Sequence, residues 1–257
     1  MKKTLILGQL VLVLAFLLVL IAPGPSSALD VGVRGSYWLP SMDSDLQVDQ
    51  GGVSGTNLDL KGDLGVDNEF FPGGEIWFGL GHHSFALGYF QASYNGDTVL
   101  NGSPVYNGVT YPNLRADFEM DFKSLDLTYG YRIVKLDAIL AGLAVTALVD
   151  VKILDIDTRL RSLGVNQSRG KTAFIPAVGV KFNAQLLARI LEARAVFLVE
   201  PIGDQTVADF IVDVSYTPFP FMDLHAGWRS LILKVDDDEF RLDHSLNGPF
   251  VALTISF

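Results

Sequence analysis

Asp223 and His225 stand two residues apart, a spacing that puts a carboxylate and an imidazole on one face of an extended chain, where the first could orient the second as a general base. His82 and His83 are adjacent, and His244 precedes Ser245. Neighbours on an extended chain point to opposite faces, so neither pair makes a metal site or a nucleophile and base dyad. Carboxylates crowd two segments, Asp43, Asp45, Asp49, Asp59, Asp63, Asp67 and Glu69 in one, and Asp236, Asp237, Asp238, Glu239 and Asp243 in the other. A solvated loop accounts for them, since no twelve-residue calcium loop with its glycine and closing glutamate is present, and binding of calcium or magnesium at a lipopolysaccharide surface is the alternative. The absence of cysteine removes thiol catalysis, thiolate metal ligation, disulfides and a lipidated lipoprotein start. No metal and no cofactor is expected.

Nor does the charge balance favour nucleic acid, since 29 acidic residues against 19 basic ones give a net charge of -10. With 49% hydrophobic and 19% charged residues, and with 25 glycines that follow no three-residue period, the 257-residue chain is neither disordered, coiled coil nor collagen-like.

The first residues predict a secretory leader. Lys2 and Lys3 precede an apolar run from Leu10 to Ala22, followed by Pro23, Gly24 and Pro25 and the small residues Ser26, Ser27 and Ala28. Cleavage after Ala28 is expected, leaving residues 29–257 as one domain. An uncleaved anchor is the alternative, and the Pro-Gly-Pro break argues against it.

After residue 28 the pattern is alternation. Leu114, Ala116, Phe118, Met120 and Phe122 interleave with Arg115, Asp117, Glu119 and Asp121. A period of two denotes strands with one oily and one charged face. The phase slips near Lys123 and Ser124, after which Leu125, Leu127, Tyr129 and Tyr131 are apolar, and this predicts a bulge. A second run, Ile139 to Ile153, slips likewise before Leu154 and Ile156. Strands are expected at about 30–38, 74–80, 83–95, 114–131, 136–158, 171–183, 189–200, 206–217, 221–235 and 248–257. Longer connections at 39–73, 96–113, 159–170 and 236–247 alternate with tight ones, which places both termini on the periplasmic side. Asn95, Gly96, Asn101, Gly102, Asn107 and Gly108 suit loop tips.

Several of these segments exceed the roughly 9 to 11 residues that cross a bilayer at a tilt. Only a closed sheet leaves no unpaired backbone in hydrocarbon. The expectation is therefore an all-β protein, a single antiparallel up-and-down transmembrane β-barrel of about ten strands, with eight or twelve as alternatives.

The final segment carries a resemblance. Val251, Leu253 and Ile255 alternate up to the terminal Phe257, as in the last strand of bacterial outer-membrane barrels, and the whole resembles the small barrels of the outer membrane protein W and opacity type. That resemblance implies a Gram-negative outer-membrane location, contact with outer-membrane lipid and lipopolysaccharide, reading of this strand by the barrel-assembly machinery, and a monomer. Omptin-type outer-membrane proteases use an Asp-x-His pair together with further aspartates. Here the pair follows the tight turn at Thr217, Pro218, Phe219 and Pro220, at the periplasmic rim, whereas that family works at the outer mouth.

Fifteen charged residues form the expected lumen lining: Arg34, Glu75, Arg115, Asp117, Glu119, Asp121, Asp150, Lys152, Glu192, Arg194, Asp209, Asp213, Asp223, His225 and Arg229. Pairing among them would plug the bore, and a water-filled path would favour cations or small polar solutes. The expected function is non-enzymatic, a narrow porin-like channel or a structural and surface-interaction barrel. An omptin-like hydrolase and an exported soluble lipid-binding barrel are the alternatives.

Overall fold

The computed structural model describes residues 29–138, 141–187, 190–200, 206–237 and 239–257, so the predicted leader lies outside the described residues. The elements are strands: β1 (Leu29–Trp38), β2 (Ser41–Val48), β3 (Leu58–Asp59), β4 (Phe71–Leu80), β5 (His83–Val99), β6 (Val105–Tyr106), β7 (Val109–Thr110), β8 (Arg115–Asp137), β9 (Ala141–Ser162), β10 (Val165–Leu186), β11 (Leu191–Val199), β12 (Thr206–Phe219), β13 (Met222–Asp237) and β14 (Phe240–Ser256). Successive long strands pair antiparallel, and β1 pairs with β14 to close the ring. β1 lies beside the lower part of β14 and β2 beside its upper part, so together they form one stave interrupted at Pro40. With β4, β5 and β8 to β14 this makes a ten-stave barrel.

The register fixes its shape. From Asp30 the pairing runs through Gly79, Ser84, Gly130, Leu148, Gly179, Leu198, Asp209, Leu231 and Leu246, and returns to the first stave at Met42, 12 residues higher. With strands about 4.8 Å apart and about 3.3 Å per residue, that stagger corresponds to a tilt of about 40°.

Both predicted phase slips are corrected. β5, β8 and β9 pair without a break through Lys123, Ser124, Ile153 and Leu154, and the irregularity in β8 falls instead between Arg132 and Val134. What changes is the chemistry of each face. On β9 the inward side reads Asp150, Lys152, then Leu154, Ile156 and Leu160, all buried. The outward side reads Val149, Val151 and Ile153, then Asp155, Asp157 and Arg159. β8 inverts in the same way, from outward Leu127 and Leu125 to Lys123 and Asp121. The outward oily stretch of β9, from Leu143 to Ile153, covers about 25 Å of height at the barrel's tilt, the thickness of an outer-membrane apolar band. Above it the strands continue for about 20 Å as a water-facing head with an apolar core.

This second half also corrects the expected loops. The stretch 159–170 is strand broken only by a turn at Leu163 and Gly164, where the glycine takes a φ of 75°. Most of 236–247 is β14, and Asn95 and Gly96 lie within β5. Charged alternate residues gave these segments the composition of loops, although they are strands facing water. Ile156→Ala is accordingly expected to cost about 2–5 kcal/mol, as for a core position, and Asp157→Ala about 0.5 kcal/mol or less. Urea unfolding of the refolded barrel, followed by gel mobility, checks both.

Candidate functional site

Eleven of the fifteen expected lumen residues have inward positions in the membrane-level half, and their partners form two layers. In the upper layer Lys152 Nζ lies 2.8 Å from Asp126 Oδ1 and 3.4 Å from Asp209 Oδ2. Arg229 grips Asp209 with two bonds, Nε at 3.0 Å and Nη2 at 2.6 Å. Asp150 accepts from Thr128 Oγ1 at 2.6 Å. The Arg229 guanidinium is also wedged between the rings of Trp38 and Phe90, at 4.9 and 4.7 Å, so one side chain joins the ion layer to the floor of the apolar head.

The lower layer is a chain of contacts. Arg194 Nε donates to Asp213 at 2.6 Å, and Asp213 meets His225 Nδ1 at 2.8 Å. His225 Nε2 lies 3.0 Å from Thr254 Oγ1, which accepts from Arg34 Nε at 3.0 Å, and Arg34 Nη1 pairs with Glu75 at 3.3 Å. Since Thr254 Oγ1 already accepts from Arg34, its own O–H is assigned to Nε2, leaving the proton on Nδ1 facing Asp213. Glu192 accepts from Asn183 at 2.5 Å and Gln185 at 3.1 Å.

The order Asp213, His225, Thr254 is that of a relay to a hydroxyl nucleophile. Thr254 is only 3% exposed and its oxygen is held by Arg34, so the hydroxyl is not presented to a substrate. Asp223 takes no part in this relay, because it accepts from Thr217 Oγ1 at 2.5 Å beside the short turn. Sequence spacing singled out the wrong carboxylate for His225. Its partner stands on the neighbouring stave β12, and only register reveals that.

Four expected lumen residues are corrected. Arg115, Asp117, Glu119 and Asp121 lie on the outer face of the head, where Arg115 pairs with Asp97 and Glu119 with Arg159 and Arg161. On β8 the interior above Ser124 is apolar, with Phe122 and Phe118 buried, so the charges there must face water. Cross-strand opposite charges on that outer face contribute little each.

Above the ion layers the bore is filled. Leu46, Ile156, Ile175, Leu233 and Leu242 are each 0% exposed. The β6–β7 hairpin folds into the outer end, Tyr106 Oη meeting Thr158 Oγ1 at 2.7 Å and Tyr111 Oη donating to the Leu160 carbonyl at 2.8 Å. His244, expected in an outer loop beside Ser245, is in fact on β14 and fully buried against Phe122 and Tyr94, with Ser44 Oγ on its Nδ1. That Ser-His contact has no access from solvent. Of the acidic outer residues, Asp45 faces Asp59 on one side and Asp243 on the other, and burial and these neighbours raise its carboxyl above the usual range. Among the described residues no three His, Asp or Glu side chains converge on a possible metal position.

No protein-family model matches the chain, and no curated protein matches it in sequence. In fold it is similar to the outer membrane protease OmpT from Escherichia coli, with a TM-score of 0.54 at 11% identity over 91% of this chain and 99% of that one. The β domain of the Bordetella autotransporter BrkA scores 0.45 at 14% identity, covering 90% of this chain and 100% of that one. Neisserial surface protein A scores 0.34 at 13% identity, covering 90% and 99%.

Two expected outcomes test the interior. Lys152→Met leaves three carboxylates around an apolar side chain and should destabilise the barrel by about 3–5 kcal/mol, with part recovered by adding Asp126→Asn; thermal gel-shift midpoints read both. Burial pushes His244 down to about 4. An unfolded chain then binds more protons than the folded one between about pH 6.5 and that value, so stability is complete above this window and falls as pH drops through it. About 3 kcal/mol is at stake, and the wild-type minus His244→Gln difference in unfolding midpoint between pH 7 and 4.5 reports it. The apolar belt and the closed sheet together make this chain a transmembrane β-barrel with the fold of the outer-membrane barrels.

Proposed function

We propose that the protein is a non-enzymatic, non-conducting barrel whose membrane-level half anchors a rigid head for interactions at the cell surface. The observation that carries this reading is the apolar layer across the bore, where side chains from β2, β9, β10, β13 and β14 meet with no exposure. A pore needs a continuous wetted path, and this layer closes the bore with side chains that have no exposure to solvent. Lys152, Arg194 and Arg229 below it are paired with aspartates, which suits a structural plug better than a selectivity filter.

A protease or other hydrolase is less well supported. His225 is committed to Asp213 and Thr254, and Asp223 to Thr217. The likeness to the outer membrane protein W and opacity type rests on the final strand, Val251, Leu253, Ile255 and Phe257, and carries no activity with it. That strand's outward side chains lie in the apolar belt, which supports its reading by the assembly machinery from the periplasm. A closed ring without an open stave supports a monomer in the lipid and lipopolysaccharide of this membrane.

Reconstituted into planar bilayers, the wild-type protein should give no steady current steps under conditions where a known porin does. Regular single-channel conductance would refute the plug.

A further inference from the structure

β10 presents an unpaired edge in the head. β11 reaches β10 only as far up as the pair Val178 and Val199, while β10 continues to Val165, bonded on its other side to β9. Among the described residues no backbone group pairs with the free side of residues 165–177. Pro176, which has no N–H to offer, sits two residues above the last β11 pair, as suits an edge. The outward side chains along this edge, Asn166, Ser168, Gly170 and Thr172, are exposed and uncharged.

Its charge is one-sided. Arg169 and Lys171 are the only charged residues between 165 and 177. They face the tip of the β13–β14 hairpin, where Glu239 lies 2.7 Å from Arg169 and Asp237 pairs with Lys171. The two pairs run in antiparallel order, two residues apart on each side, so the chain's own acidic tip holds the place of an acidic strand by side chains alone. Arg169 holds the Glu239 carboxyl below the ordinary carboxylate range. All four side chains keep 25–42% exposure, and such surface pairs are weak, so displacing them costs little against a ladder of main-chain bonds.

We propose that the β10 edge above the β11–β12 hairpin docks an extended acidic segment of another protein, which adds as a strand antiparallel to β10 and takes Arg169 and Lys171 from Glu239 and Asp237. The proposal rests on the surface-interaction reading and names its partner's chemistry. A second copy does not fit. Two barrels upright in one membrane both carry β10 at a tilt of about 40°, so their edges meet crossed rather than antiparallel.

The test uses the full-length protein in detergent and a short fluorescent peptide of alternating Thr and Glu, with a Thr and Lys peptide as comparison. Anisotropy should show binding of the acidic peptide only. Asp237→Asn with Glu239→Gln should tighten it up to about tenfold by removing the internal competitor. Arg169→Gln with Lys171→Gln should weaken it at least tenfold, and Arg169→Glu with Lys171→Glu should transfer binding to the basic peptide. Exchange of the amides of Asn166, Ser168, Gly170 and Thr172 should slow when peptide is bound. Absence of binding, binding indifferent to the neutralised pair, or binding without amide protection would each overturn the proposal. Silent bilayers alongside any of these would leave the plugged-barrel reading standing, whereas steady current would remove that reading whatever the peptide does.

Discussion

Each long stave passes through two solvents, and that constraint organises the whole molecule. Between Leu143 and Ile153 the outer face of β9 meets hydrocarbon, and from Asp155 upward it meets water. In the lower half, burying apolar side chains inside the ring gains nothing, because lipid outside is already as oily as any core. Cohesion there comes from paired charges and hydrogen bonds whose alternatives in low dielectric are costly. In the upper half the usual hydrophobic drive returns, and an apolar core forms. The polarity of both faces therefore inverts at one level while the hydrogen-bond ladder runs on unbroken.

The junction between these regimes is built from a few side chains. Arg229 binds Asp209 below and lies between Trp38 and Phe90, the first rings of the core above. Lys152, 1% exposed, ties β9 to Asp126 on β8 and to Asp209 across the bore. These contacts reach across the lumen, which a ten-stave ring of this stagger makes narrow enough for single side chains to span. The same narrowness removes a water path. It leaves the head's outer surface and the unpaired β10 edge as parts of the molecule open to partners.

Much of the architecture was legible in the alternation itself: closed antiparallel sheet, staves long enough for a membrane, tight turns at one end, both termini at that end. The second solvent was not. An inversion of face polarity and a bulge leave the same mark on a sequence, since both shift the apolar residues from one parity to the other. Periodicity alone thus gives Ser124 and Leu154 as slipped positions, whereas they are where lipid gives way to water outside and charge gives way to a core inside. The same ambiguity places Arg115, Asp117, Glu119 and Asp121 in the lumen on periodicity alone and gives 159–170 and 236–247 the look of loops. Of the inward charges, identities were readable but partners were not. Asp213 and His225 lie on adjacent staves, and Arg34 reaches His225 only through Thr254 at the far end of the chain. Register sets those meetings, and single-strand periodicity does not contain it.

The absence of native cysteine makes one measurement especially direct. Nitroxides attached at successive single cysteines along β9, from 143 to 161, would be read for collisions with lipid-soluble oxygen and with a water-soluble relaxant. The account predicts oxygen access at outward positions up to 153, an abrupt change to the aqueous relaxant from 155, and neither at 154, 156 and 160. Lipid contact continuing to 161, or aqueous access at 156, would contradict it.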